Sequence, residues 1–173
     1  HNGALSVSSK EKLIKSIEGK EGEALESIEN LDCLTYLSLS GVSISNISHI
    51  SDLTGLKNLG LGNTSVSVLS PLSDLKNLEM LDLSNTEVSD SSDFSSLADL
   101  ENLESLNLGD TEVSGSSVSQ LSDLENLQVL RLHNTSVSDD SFLYNMSNLK
   151  MVDLRDTPLV EERGCQNLKD DFK

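Results

Sequence analysis

Aromatic residues make up only 3% of this 173-residue chain, with no tryptophan, two tyrosines and three phenylalanines. A core built from it must be aliphatic. Only two prolines and ten scattered glycines are present, which excludes collagen-like and proline-rich architectures. Basic residues are also scarce. The 12 Lys and Arg face 29 Asp and Glu, for a formal charge of -17, so gripping nucleic acid phosphates or anionic lipid by unspecific electrostatics is disfavoured. No apolar run approaches the roughly 20 residues of a spanning helix, and no basic-then-apolar leader follows His1. The chain reads as soluble, with neither nucleic acid nor membrane insertion among its expected partners. Its compartment stays open.

What the chain has in abundance is a repeated string. LTYLSLSGVSIS, LKNLGLGNTSVS, LEMLDLSNTEVS, LESLNLGDTEVS, LQVLRLHNTSVS and LKMVDLRDTPLV start at Leu34, Leu56, Leu78, Leu103, Leu127 and Leu149. In the LxLxx portion apolar and polar residues alternate as in a half-buried strand. Between strands a spacing of three, as in Leu72, Leu75 and Leu78, suits turns or 3₁₀ pieces with one face inward. One such unit cannot bury its leucines alone. Units stacked about 4.8 Å apart would pair their strands in parallel and close the leucines into one core.

The six units resemble the leucine-rich-repeat superfamily over about residues 25 to 160, in the 22-residue form of internalin-like bacterial surface repeats and phosphatase-regulator repeats. Similar threonine-containing units also occur in protozoan repeat proteins. The resemblance implies an α/β solenoid with a curved parallel sheet on its concave face and 3₁₀ or turn segments on its convex side. Where such repeats usually place Asn, this chain has Thr64, Thr86, Thr111, Thr135 and Thr157, with Val42 in the first unit. A hydroxyl there can donate to a neighbouring carbonyl, which gives the threonines a structural, ladder-like role rather than a ligand role.

Residues 1–24 are expected to form an N-terminal helical cap. Ser8 and Glu11 have capping-box spacing, and Leu13, Ile14 and Ile17 share a helical face. Residues 25–160 form the solenoid of about six strands, and 161–173 a C-terminal cap or tail, with Leu168 and Phe172 as lid contacts. The third and fourth units are longer, and their extra residues, between Val88 and Leu97 and between Val113 and Leu121, are expected to bulge into solvent. Cys33 and Cys165 flank the strands, about 20 Å or more apart, so no internal disulfide is expected.

No enzyme is expected. The three histidines, His1, His49 and His133, lie on different units, and no phosphate loop, nucleophile elbow or zinc-ligand spacing occurs. No cofactor or metal is implied. Acidic pairs such as Asp139 with Asp140 read as solvated charge. The sequons at Asn46, Asn63, Asn134 and Asn145 would matter only on a eukaryotic secretory route, and two fall inside the repeat motif. The serines recurring after the turn valines read as polar exposure rather than an ice- or glycan-binding array.

Alternation sends the polar strand positions to the concave face in columns. There the N-terminal half is small and featureless, while the C-terminal half gathers Val129, Arg131, His133, Met151, Asp153 and Arg155; Tyr36 and Met80 are further contact candidates. Arginine beside exposed apolar side chains on a rigid surface is hot-spot chemistry. The competing reading is that Arg and Asp on adjacent strands merely pair and solubilise. The reading that results is a non-enzymatic module binding an unidentified protein partner, as part of a microbial surface or secreted protein. An intracellular regulatory or scaffold subunit and a self-assembling structural repeat protein are the alternatives, and oligomeric state stays open.

Overall fold

The computed structural model describes residues 34–163. Six strands follow one another in chain order: β1 (Tyr36–Ser38), β2 (Asn58–Gly60), β3 (Met80–Asp82), β4 (Ser105–Asn107), β5 (Val129–Arg131) and β6 (Met151–Asp153). All neighbours are parallel in an open sheet. The register matches equivalent repeat positions, as in Leu59 with Leu81 and Leu106 with Leu130. Each strand is only three residues long, because one aliphatic residue, Leu in β1 to β5 and Val152 in β6, faces inward between two outward side chains before the chain turns away.

The core is a set of aliphatic columns. Leu37, Leu59, Leu81, Leu106 and Leu130 form one; Leu39, Leu61, Leu83, Leu108, Leu132 and Leu154 form the next, and all are buried. Ile44, Val66, Val88, Val113 and Val137 line the turn side, and Leu69, Leu72 and Leu75 close one return segment. Each full leucine burial contributes about 1.5–3 kcal/mol. None is available to an isolated unit.

Return segments differ with unit length. The 22-residue units use 3₁₀ turns, with Ile50 N–H donating to Ile47 O and Leu72 N–H to Leu69 O, both at 2.9 Å. The two longer units instead wind single α-helical turns, α1 (Ser95–Ala98) and α2 (Gly115–Ser119). Their added length lets Ala98 N–H reach Phe94 O at 3.2 Å and Val118 N–H reach Ser114 O at 3.3 Å. The added residues of the third unit do bulge toward solvent, since Ser89, Asp90, Ser91, Ser92 and Asp93 are exposed or half-buried, whereas in the fourth unit Gly115 and Ser117 are buried. Phe94 and Val118 are buried at the place that Leu69 fills in the second unit, and Leu97 at that of Leu72, so the core columns continue past the added residues.

Thr64, Thr86, Thr111, Thr135 and Thr157 each donate a hydroxyl hydrogen to the leucine carbonyl three residues earlier, at 2.5–2.7 Å. These bonds close the turn inside a unit rather than running between units. The ladder between units is made by a different column, the asparagine before each unit's first leucine. Asn77, Asn102, Asn126 and Asn148 donate side-chain N–H to Thr54, Lys76, Glu101 and Glu125 carbonyls at 2.6–2.9 Å.

The residue before each threonine is left-handed: Asn63, Asn85, Asp110, Asn134 and Asp156 have φ between 50° and 58°, and Gly41 takes φ 75° in the first unit. Asn and Asp are the non-glycine residues that tolerate this region best. The chain ends its described part in α3 (Pro158–Arg163), whose Leu159 is buried on the last unit. The expected N-terminal helix, both cysteines, Leu168 and Phe172 lie outside the described residues.

Candidate functional site

The outward face of the sheet carries the candidate residues in the columns that alternation demands. Tyr36, Asn58, Met80, Ser105, Val129 and Met151 stand in one register column, and Ser38, Gly60, Asp82, Asn107, Arg131 and Asp153 in the next. His133 and Arg155 follow where the chain leaves β5 and β6. Val129, Arg131, His133, Met151, Asp153 and Arg155 are thus brought together on the last two units. Tyr36 and Met80 are not: they stand on β1 and β3, separated from that group by Asn58 and Ser105.

Exposure separates these residues by character. Tyr36 is 66% exposed, Met80 49% and Met151 48%, large apolar side chains left in water by a sheet whose other face is sealed. Val129 and Arg131 are half-buried. Desolvating such apolar surface is favourable at about 25 cal/mol per Å², which makes this column the part of the face with most to gain from a partner.

The charged residues are more internally engaged than their sequence suggests. Arg155 donates through Nε to Asp153 Oδ1 at 2.8 Å and through its terminal nitrogen to Oδ2 at 2.7 Å, a two-pronged pair within one turn. Those bonds hold the Asp153 carboxyl down at about 2, against desolvation, with the backbone N–H of Arg155 and the His133 ring assisting. His133 lies between two carboxylates, with Nε2 3.3 Å from Asp110 Oδ2 and Nδ1 3.5 Å from Asp153 Oδ2. Its Nδ1 is buried without a well-aligned hydrogen bond. The cluster of Asp110, His133, Asp153 and Arg155 is therefore internally matched in charge.

Two members of this cluster escape a reading that looks for large side chains. Asp110 belongs to the left-handed column and reaches His133 only because the turns stack. Gly109 forms the floor under the imidazole, and its glycine is the signal that a side chain from the next unit lies there. Among the described residues no three His, Cys, Asp or Glu side chains are grouped to hold a metal ion, and no helix is long and apolar enough to cross a membrane.

Residues 54–96 match the family model described as leucine-rich repeats in two copies. Among solved structures, the chain is similar to internalin C2 of Listeria monocytogenes strain 4b F2365, with 25% identity and a TM-score of 0.59 over 86% of this chain and 74% of that one. An internalin F from the same strain has 23% identity and a TM-score of 0.55 over 74% of this chain, which spans 43% of the internalin F chain. No curated protein matches the sequence.

Proposed function

Because this chain is a leucine-rich-repeat protein, we propose that it is a non-enzymatic interaction module that binds a protein partner through the outward face of its sheet. The observation that carries this is the single register column in which Tyr36, Met80, Val129 and Met151 present apolar surface from a backbone fixed by six paired strands. Anchors on a rigid scaffold bind without an ordering cost, which leaves more of their burial as affinity. We read it as part of a microbial surface or secreted protein, because its repeats resemble internalin-like bacterial surface repeats, with the C-terminal strands as the centre of contact.

The test is capture with the whole chain immobilised, comparing wild type with a Tyr36→Ser, Met80→Ser, Met151→Ser variant. Loss of a specifically retained protein in the variant, with unchanged thermal unfolding, is expected. Equal recovery from both would remove the outward face from consideration.

A further inference from the structure

The acceptors in the second outward column are already occupied. Asp82 accepts from Ser84 N–H at 3.0 Å and Ser84 Oγ–H at 2.7 Å, and Asp153 is taken by Arg155. Asn107 Oδ1 accepts from Gly109 N–H at 3.1 Å. The donors beside them are not matched in the same way. Among the described residues the Arg131 guanidinium has no ion pair and no side-chain hydrogen bond. The Lys150 ammonium donates only to the neutral amide oxygen of Gln128, at 2.7 Å.

Both cations flank the same apolar spot. Arg131 is two residues beyond Val129 on β5, Lys150 directly precedes Met151 on β6, and Val129 and Met151 are register partners. We infer that this spot takes a protein segment carrying a carboxylate next to an aliphatic side chain, with the carboxylate on Arg131 and Lys150 and the aliphatic group on Val129 and Met151. This rests on the outward-face reading above and narrows it to a partner chemistry.

Charge complementarity favours that occupant over a basic one. A cationic segment would meet two unneutralised cations at the apolar spot, and the nearest strand carboxylate, Asp153, is already held by Arg155. The chain's acidic excess opposes a carboxylate only weakly here. Asp52, Asp74, Asp99 and Asp123 lie on the return segments, and screening at physiological salt limits such charges to a range of about 8 Å. Arginine also matches a carboxylate through two parallel bonds, which fixes orientation.

The probe is N-acetyl-leucine, which joins one carboxylate to one aliphatic side chain, with N-acetyl-leucinamide as the uncharged control. Each is titrated into ¹⁵N-labelled protein and followed by amide shifts. N-acetyl-leucine is expected to move Val129, Arg131, Lys150 and Met151, and the amide to bind about five-fold more weakly at that spot. Arg131→Gln with Lys150→Gln removes that difference, whereas Lys57→Gln, at a cation already paired with Glu79 at 2.6 Å, leaves it intact. Equal shifts from both probes, or shifts confined to Tyr36 and Met80, overturn the carboxylate assignment while leaving the outward face as a docking surface. No shift from either probe overturns the assignment as well, and the capture experiment then decides the broader reading alone.

Discussion

The imidazole of His133 lies directly over Gly109 of the preceding unit, so closely that a Cβ on residue 109 would stand 2.1 Å from Cε1. No neighbouring atom could absorb that overlap without the ring leaving its place between Asp110 and Asp153. Gly109→Ala should therefore push the partly exposed ring out into solvent and away from Asp110 and Asp153, destabilising the chain by about 1 kcal/mol or less. The urea midpoint reads this, and a cycle with His133→Ala isolates the cause. Removing the ring should recover most of the loss; strictly additive effects would show that the clash is not its source.

The left-handed column makes a second, opposite pair of substitutions informative. Asn85 has φ 50° and donates its side-chain N–H to Asn63 Oδ1 at 2.8 Å. Asn85→Val puts a β-branched residue in a region costing about 1–2 kcal/mol, and loses the bond besides. Asn85→Gly keeps the conformation, as Gly41 does in the first unit, and should cost clearly less. Thermal unfolding of the two variants orders them, and equal losses would refute the conformational explanation.

The longer units depend on one carboxylate. Burial opposes ionisation of Asp90, but hydrogen bonds from Ser114 and Ser117 outweigh it and hold its pKa below the ordinary value. Ser117 is 1% exposed, and its hydroxyl donates to Asp90 Oδ1 at 2.6 Å. Asp90→Ala leaves that buried hydroxyl unsatisfied, at an expected cost of about 1–3 kcal/mol. Hydrogen exchange should show faster opening around α2 than around β1, a localisation that a general loss of stability does not produce.

Asp153 supplies a pH dependence with a defined sign. Its folded-state pKa, at about 2, lies below that of an unfolded aspartate. The Asp153–Arg155 pair therefore contributes fully above about pH 4 and loses its contribution as the pH falls toward 2. With the Arg155 side chain 76% exposed, solvent screening keeps this contribution small. Carboxyl NMR should find Asp153 titrating near the bottom of that window, and Arg155→Gln should move the midpoint upward. An unmoved midpoint would show that the arginine is not what holds it.

The repeat made the fold legible because period and register are the same information. Leucines at fixed offsets specify which residues face inward, and near-equal spacing places Val129 opposite Met151 before any coordinates are known. The outward columns follow from alternation alone, as does the identity of the exposed apolar anchors. The threonine bonds were legible for the same reason, since a hydroxyl at a buried turn has few carbonyls in reach.

Contacts between units needed the tertiary structure, because they depend on distances that separate residues by a whole repeat. Whether Arg155 meets a partner or its own Asp153 is decided by a turn that brings them together two residues apart. The seat of His133 over Gly109, its approach to Asp110, and the asparagines that bond across units all arise from stacking. The longer third and fourth units still turn Phe94 and Val118 inward for a similar reason. Phe94 and Val118 gain more from the shared core than from solvent, and that core exists only once neighbouring units are in place.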